Sequence, residues 1–393
     1  MKRLLKISKN KVGTKEYGFK RFLKNEIDWT QRLIIILGQR GAGKTTLLLQ
    51  QMKTVGDKVV YLSLDDFFFE NNRLITLIEN LYEDDYRYFF LDEVHRYAHW
   101  SSDLKTLYDN LQDAHFIVTG SSILQLDQGQ SDLSRRAVLY RLPGLSFREF
   151  LNLEIGEDLA ALDLAELIEN HEQLSLDIAD RMDVLLHFST YIESGYLPFY
   201  REGLAVYRGK LQEIVRMAIE MDIAPYEGLN YLTVRNMEKL LHVISESVPF
   251  IPNITKLADR LGTSRNSILK MLDLMERAEI LVLLRRETKG VSYLQKPEKI
   301  YLNNPNINYA LVDAPNMGNL RETFFVNQLQ VRHEATYPRY GDFMIDEQFV
   351  FEIGGANKGF SQIKGLPNAY VAADDIKYGE RNKIPLWLFG FLY

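Results

Sequence analysis

The apolar run Ile34–Leu37 gives way to glycines, then to Lys-Thr-Thr, then to leucines at helical spacing, in "IIILGQRGAGKTTLLLQ". A solid apolar block followed by a three-to-four period predicts a buried strand, a glycine loop and a helix. Four more apolar blocks follow in "DKVVYLSLDD" (57–66), "YRYFFLDEVHR" (86–96), "AHFIVTGSS" (114–122) and "AVLYRLPGLS" (137–146), with helical stretches between them. Strands alternating with helices imply an α/β core whose parallel sheet is covered on both faces. Ligands of such sheets sit at the carboxyl ends of the strands, where the polar residues of these segments fall.

After this core the pattern changes three times. Residues 151–226 read as helices, as in "LAALDLAELIENHEQLSL" and "RMDVLLHFSTYIESGYLPFY". Residues 227–315 contain "NITKLADRLGTSRNSILKMLDLMERAEILVLL", the spacing of a helix-turn-helix. Its first helix ends near Leu261, Gly262 makes the turn, and Ser264 caps a second helix with Ile268, Leu272 and Met275 on its apolar face. "ILVLLRRETKG" then reads as a strand running into a basic turn, and "EKIYLNNPNINYAL" as the returning strand, so the expectation is a winged helix. Residues 316–393 open with "NLRETFFVNQL", read as an amphipathic helix, and continue with "YGDFMIDEQFVFEIGG", a strand segment. The expected domains are therefore 1–150, 151–226, 227–315 and 316–393.

Composition narrows the setting. A chain of 393 residues exceeds one comfortable core, and 46% hydrophobic with 25% charged residues describes a globular protein. No apolar stretch approaches the roughly 18 residues of a membrane span. The N-terminus is basic (Lys2, Arg3, Lys6, Lys9, Lys11) and lacks a signal peptide's apolar segment. The absence of cysteine excludes disulfides and thiolate metal sites and favours a cytoplasmic address. A net charge of -6 excludes a bulk polyanion binder, so any nucleic-acid contact must be local. A further basic stretch is Ile254–Ile300, with ten Lys/Arg against six Asp/Glu.

"GQRGAGKT" fits GxxxxGK(S/T) through Gly38, Gly43, Lys44 and Thr45. Gln39, Arg40, Gly41, Ala42 and Thr46 complete a loop whose backbone N–H groups, with the following helix N-terminus, suit phosphate. Lys44 is expected to reach the β- and γ-phosphates of ATP, and the Thr45 hydroxyl to ligate Mg2+. Asp92, 48 residues after Lys44, ends a buried strand and is placed to hold Mg2+ through water. Glu93 beside it is the candidate general base, and the adjacent acids favour hydrolysis. Thr119 or Ser121 is placed to orient the attacking water or sense the γ-phosphate, with simple helix capping as the alternative. Arg135 and Arg136 precede the fifth strand, where an arginine would stabilise transition-state charge in its own site or a neighbour's; the alternative is a solvated pair. His95 and His99 stand four apart, but no third ligand accompanies them, so a metal pair is not expected.

Taken together, "YLSLDD", "FFLDEVHR", "IVTGSS" and "LPGLSFREFL" resemble one branch of the AAA+ ATPases. These are prokaryotic predicted ATPases that carry a C-terminal domain of unknown function and are similar to the origin-recognition and signalling side of AAA+. The resemblance spans nearly the whole chain and implies ATP and Mg2+, with residues 151–226 as a helical lid. No clear sensor-2 arginine motif follows Phe150.

Two further expectations concern partners. At the start of the second helix-turn-helix helix, Arg265, Asn266 and Lys270 occupy base-reading positions, and Arg285, Arg286 and Lys289 lie in the wing, so duplex DNA is a candidate partner. Such domains also serve as protein-interaction modules. In the C-terminal segment, a helix acid, then Asp, then Glu-x-Lys is the pattern of restriction-endonuclease-like folds, which it resembles. That resemblance implies Glu322, Asp342 and Glu352 as a second metal site. The lysine position is Gly354, with Lys358 or Lys364 left to reach back, so a retired nuclease is the simpler reading. Three functions stay open: an ATP-driven switch acting with DNA, a protein partner or a second copy; an ATP-dependent nuclease; and a nucleotide-bound scaffold.

Overall fold

The computed structural model describes residues 1–13, 18–56, 58–120, 133, 135–246, 250–286 and 296–393. The chain forms two compact units, Met1–Gly144 and Leu145–Tyr393. The expected segments 151–226, 227–315 and 316–393 thus all fall within the second unit.

In the first unit, β1 (Leu33–Leu37), β2 (Val59–Ser63), β3 (Tyr88–Asp92), β4 (His115–Gly120) and β5 (Val138–Arg141) form one sheet in the order β2-β3-β4-β1-β5. Every pairing is parallel, with Ile35 facing Val118 and Leu62 facing Leu91. β1 is buried at all five positions, as expected for a central parallel strand read as a solid apolar block. The helices Lys44–Val55, Leu74–Glu83 and Trp100–Asn110 connect these strands. Leu47, Leu77, Ile78 and Leu104 bring their apolar sides to the core.

The basic N-terminus is a helix, Lys2–Gly13, laid against the edge strand β2. Leu4 enters the core, and the Ser8 hydroxyl accepts from the Tyr61 amide at 2.9 Å, occupying a donor on the sheet's outer edge. Arg3 pairs with Asp66 and covers the Phe67 ring.

The second unit begins with a capping box, in which the Ser146 hydroxyl accepts from the Glu149 amide and Glu149 returns to the Ser146 amide. Helices Leu164–Ala179 and Val184–Thr190 follow, and the latter runs into a π-helical turn, Tyr191–Gly195. Asn306 serves that turn, donating to the carbonyls of Tyr191 (3.0 Å) and Ile192 (2.7 Å). Helices Ile254–Leu261 and Arg265–Arg277 stand on either side of Gly262 (φ 61°), with Ser264 accepting from the Ser267 amide. β6 (Leu281–Leu284) and β7 (Lys299–Leu302) then pair antiparallel. The basic turn carrying Lys289 lies outside the described residues.

The last segment forms a sheet of β8 (Ala335–Thr336), β9 (Phe343–Ile345), β10 (Phe349–Gly354), β11 (Ala369–Ala373) and β12 (Lys383–Pro385), ordered β12-β11-β10-β9-β8. The helix Met317–Leu329 packs on β10, and Phe325 meets Phe343, Phe351 and Phe389 at ring-centroid distances of 5.2, 5.1 and 4.9 Å. That helix is not amphipathic: every residue from Thr323 to Leu329 is buried, because neighbouring elements of the unit cover it on all sides. Among the described residues no helix is long and apolar enough to cross a membrane.

Candidate nucleotide site

β1 ends at Leu37, and the loop Gly38–Gly43 leads into the helix beginning at Lys44. Gly43 takes φ 99°, a backbone state that glycine adopts without steric cost, which lets the loop turn into the helix. Gly38 answers a different demand, since a Cβ there would lie 2.2 Å from the Leu142 carbonyl oxygen. Lys44 is buried, and its ammonium donates to the carbonyls of Gly38 (2.6 Å) and Gln39 (2.9 Å). The lysine therefore spans the mouth of its own loop.

Asp92 at the end of β3 anchors the site. Its Oδ2 accepts from Thr45 Oγ1 and from the Tyr61 hydroxyl, both at 2.7 Å, and its Oδ1 accepts from Thr119 Oγ1. Burial, and then the Asp92 charge, raise the Tyr61 pKa, so the phenol stays a donor. Behind it, Lys11 Nζ donates to the Tyr61 hydroxyl at 3.0 Å. Thr119 also accepts from the Glu93 amide at 3.4 Å. Its hydroxyl thus ties Asp92 and the Glu93 amide together at the end of β3 and keeps one acceptor position.

Glu93 departs from strand geometry at φ 55°, ψ 39°. A non-glycine residue held there costs about 1–2 kcal/mol. The reversal feeds a 3-10 turn, Val94–Arg96, in which Val94 is fully buried and His95 comes back beneath Glu93. His95 Nε2 lies 3.5 Å from Glu93 Oε2, with side-chain exposures of 1% and 26%. Burial, followed by the charges of Arg96, Arg40 and Lys44, pushes the imidazole pKa down to about 3.

Arg21, which no sequence motif flags, is buried and binds the loop from behind. Its guanidinium donates to the carbonyls of Ala42, Pro143 (2.8 Å) and Gly144 (2.8 Å). Arg136 forms a two-pronged pair with Asp109 on the helix Trp100–Asn110 (2.8 and 2.9 Å), so its charge is engaged within its own unit. Arg135 is exposed, and Ser121 lies outside the described residues.

Residues 30–151 match the AAA domain family. The match takes in β1 to β5 and supports a nucleotide-binding ATPase domain in the first unit, with the loop Gly38–Gly43 inside the matched residues. An uncharacterized protein of Methanocaldococcus jannaschii is 26% identical over 90% of this chain and 82% of its own length. Among solved structures, a Walker-type ATPase of Pyrococcus abyssi is similar at 13% identity and TM-score 0.41, covering 75% of this chain and 95% of its own. The Aeropyrum pernix ORC1 protein in complex with DNA is similar at 13% identity and TM-score 0.28, covering 72% and 86%. Likenesses at that level say nothing about what this chain binds.

The acids expected to hold a second metal are arranged differently. Lys299, from β7, donates to Glu322 Oε2 (3.1 Å) and Asp342 Oδ1 (3.0 Å), and the Tyr301 hydroxyl donates to Glu322 Oε2 (2.6 Å). Burial opposes the Lys299 ammonium, yet Glu322 and Asp342 outweigh it and raise its pKa. Glu352 is buried and pairs with Lys358, whose stem fills the space a side chain at Gly354 would need: a Cβ there would lie 2.6 Å from Lys358 Cβ. Of the two lysines expected to reach back, Lys358 meets Glu352. Even so, among the described residues no group of three acids or histidines is disposed to hold a metal. The Lys299 ammonium bridges two of the three carboxylates.

The basic positions of the helix-turn-helix divide. Arg265, Asn266 and Lys270 are exposed at the start of their helix. Arg285 pairs with Glu276 at 2.8 Å and Arg286 with Glu298 at 3.1 Å, so both arginines after β6 are partly neutralised within the unit.

Proposed function

We propose that the chain hydrolyses ATP with Mg2+ and uses the cycle as a conformational switch acting on residues 145–393. What carries this reading is the placement of Asp92, fixed by Thr45, Tyr61 and Thr119, with Glu93 turned out beside it. Thr45 and Asp92 offer the hard oxygen donors Mg2+ prefers, and Lys44 supplies a cation for phosphate. The bound metal would spread the charge of the β- and γ-phosphates. Glu93 would take the proton of the attacking water through its carboxylate. Arg135, the exposed member of its pair, is the better candidate for transition-state charge from a second copy.

Duplex DNA is the proposed effector, approached through Arg265, Asn266 and Lys270 of a winged helix. With Arg285 and Arg286 already paired, few phosphate contacts remain, so binding is weak and its fall with salt is set by those few contacts. The nuclease reading is not favoured, because Lys299 stands against Glu322 and Asp342. Steady-state ATP turnover of the whole protein, with Glu93→Gln as the inactive control and duplex DNA titrated in, tests the proposal. Metal-dependent cutting of DNA that vanishes in Asp342→Ala would replace it with the nuclease.

A further inference from the structure

We propose that His95 is a positioning residue for the hydrolytic step, its Nε2–H holding one oxygen of Glu93 so that the other faces the attacking water. The inference rests on the hydrolysis reading above and names a residue that this reading does not require.

Three observations carry it. The backbone reversal at Glu93 and the 3-10 turn after it bring His95 Nε2 to 3.5 Å from Glu93 Oε2, although β3 has already ended. The left-handed state of Glu93 is retained at an energetic cost, and strain of this kind persists only where surrounding contacts fix it. Val94, fully buried, fixes this one. The His95 side chain is almost wholly enclosed, so its ring cannot turn to water and its nitrogens must face protein groups.

The charges around the ring decide which form it takes. Arg96, Arg40 and Lys44 act on it together with burial, and all four oppose a second proton. A carboxylate only accepts, so the nitrogen facing Glu93 carries the single hydrogen. A separation of 3.5 Å is the long limit of a hydrogen bond, and catalytic contacts of this kind tighten when substrate closes the site. Two of the three cations, Arg40 and Lys44, belong to the phosphate loop. His95 therefore stands where the loop and the general base meet, and misplacing a reacting group by about 1 Å costs on the order of a hundredfold in rate.

The experiment compares ATP turnover and equilibrium ATP affinity in the wild type, Glu93→Gln, His95→Ala and His95→Gln, all as the full chain. His95→Ala should lower kcat by roughly ten- to a hundredfold while Kd for ATP stays within about twofold. His95→Gln, which keeps a donor near the same height, should recover part of that loss. Wild-type turnover in His95→Ala overturns the inference, as does a joint loss of ATP affinity in both variants, which would make the residue structural. A wild type that binds ATP yet turns over no faster than Glu93→Gln refutes the hydrolysis reading itself, and this inference falls with it.

Discussion

The Tyr61 hydroxyl donates to Asp92 Oδ2 at 2.7 Å, on the same oxygen that Thr45 reaches from the phosphate loop. A tyrosine inside an apolar edge strand thus fixes the carboxylate proposed to hold Mg2+. Groups that orient metal ligands from behind typically contribute ten- to a hundredfold to metal affinity. Tyr61→Phe keeps the ring and removes this bond together with the one from Lys11. Mg2+ titration of ATP binding should show metal affinity down by about tenfold, with ATP affinity in EDTA unchanged. Equal Mg2+ affinity in the two proteins would make Tyr61 a packing residue.

Arg21 supports the carbonyls of Ala42, Pro143 and Gly144. A hydrogen bond to a charged donor contributes about 1.5–3 kcal/mol, and the carbonyls left behind in Arg21→Ala would be buried. Loss of roughly 2–3 kcal/mol of stability is expected, with faster hydrogen exchange in the loop 38–43. Arg21→Lys should not rescue it, because an ammonium lacks the planar fork needed to reach separated acceptors. Unchanged exchange in the loop would contradict this account.

Lys299 makes an opposite kind of prediction. Removing its charge leaves Glu322 and Asp342, whose side chains are 13% and 16% exposed, with no cation between them, a loss on the order of 3 kcal/mol. Burial and the Asp342 charge already raise the Glu322 pKa. A carboxyl raised in the folded state favours folding below its unfolded pKa and withdraws that support as pH rises. Urea unfolding of Lys299→Met should therefore show a more stable second unit at pH 5 than at pH 8. A pH-independent variant as stable as the wild type would show that Lys299 is not compensating the acids.

His95 sets a pH dependence in the first unit. Its folded pKa is about 3 against an ordinary 6.5, so from 6.5 downward the unfolded chain takes a proton that the native one refuses. The stability this group confers is whole above pH 6.5 and declines steadily as pH falls toward 3. Hydrogen exchange of the β1 and β3 amides should report that decline, and His95→Gln should flatten it. An identical slope in the two proteins would move its origin to other groups.

Much of the first unit is legible in sequence because each strand is a solid apolar block and the loop motif has a fixed local geometry. β2 through β5 fall inside the segments read from pattern, β1 begins one residue before its own, and Asp92 and Glu93 lie at the carboxyl end of β3 as expected. What could not be read are contacts made across long separations. Arg21 meets Pro143 across 122 positions, and Lys299 meets Asp342 across 43, so no local period announces either. The glycine at position 354 is plain in the sequence, but the packing of the Lys358 stem against it depends on a loop path that pattern does not encode. "NLRETFFVNQL" misled through its polar residues: Asn327 and Gln328 are buried, donating to Asn303 O at 2.9 Å and Tyr191 Oη at 3.0 Å.

The central claim is that Glu93 turns ATP binding into hydrolysis. Its most direct test is single-turnover hydrolysis of ATP by the full chain with Mg2+, comparing the wild type with Glu93→Gln, each with and without duplex DNA. The account predicts cleavage in the wild type that accelerates with DNA, and in Glu93→Gln tight ATP binding with cleavage lowered by about a hundredfold or more. Cleavage at the same rate in both proteins, or none in the wild type under any condition, would contradict it and leave the nucleotide as a structural ligand.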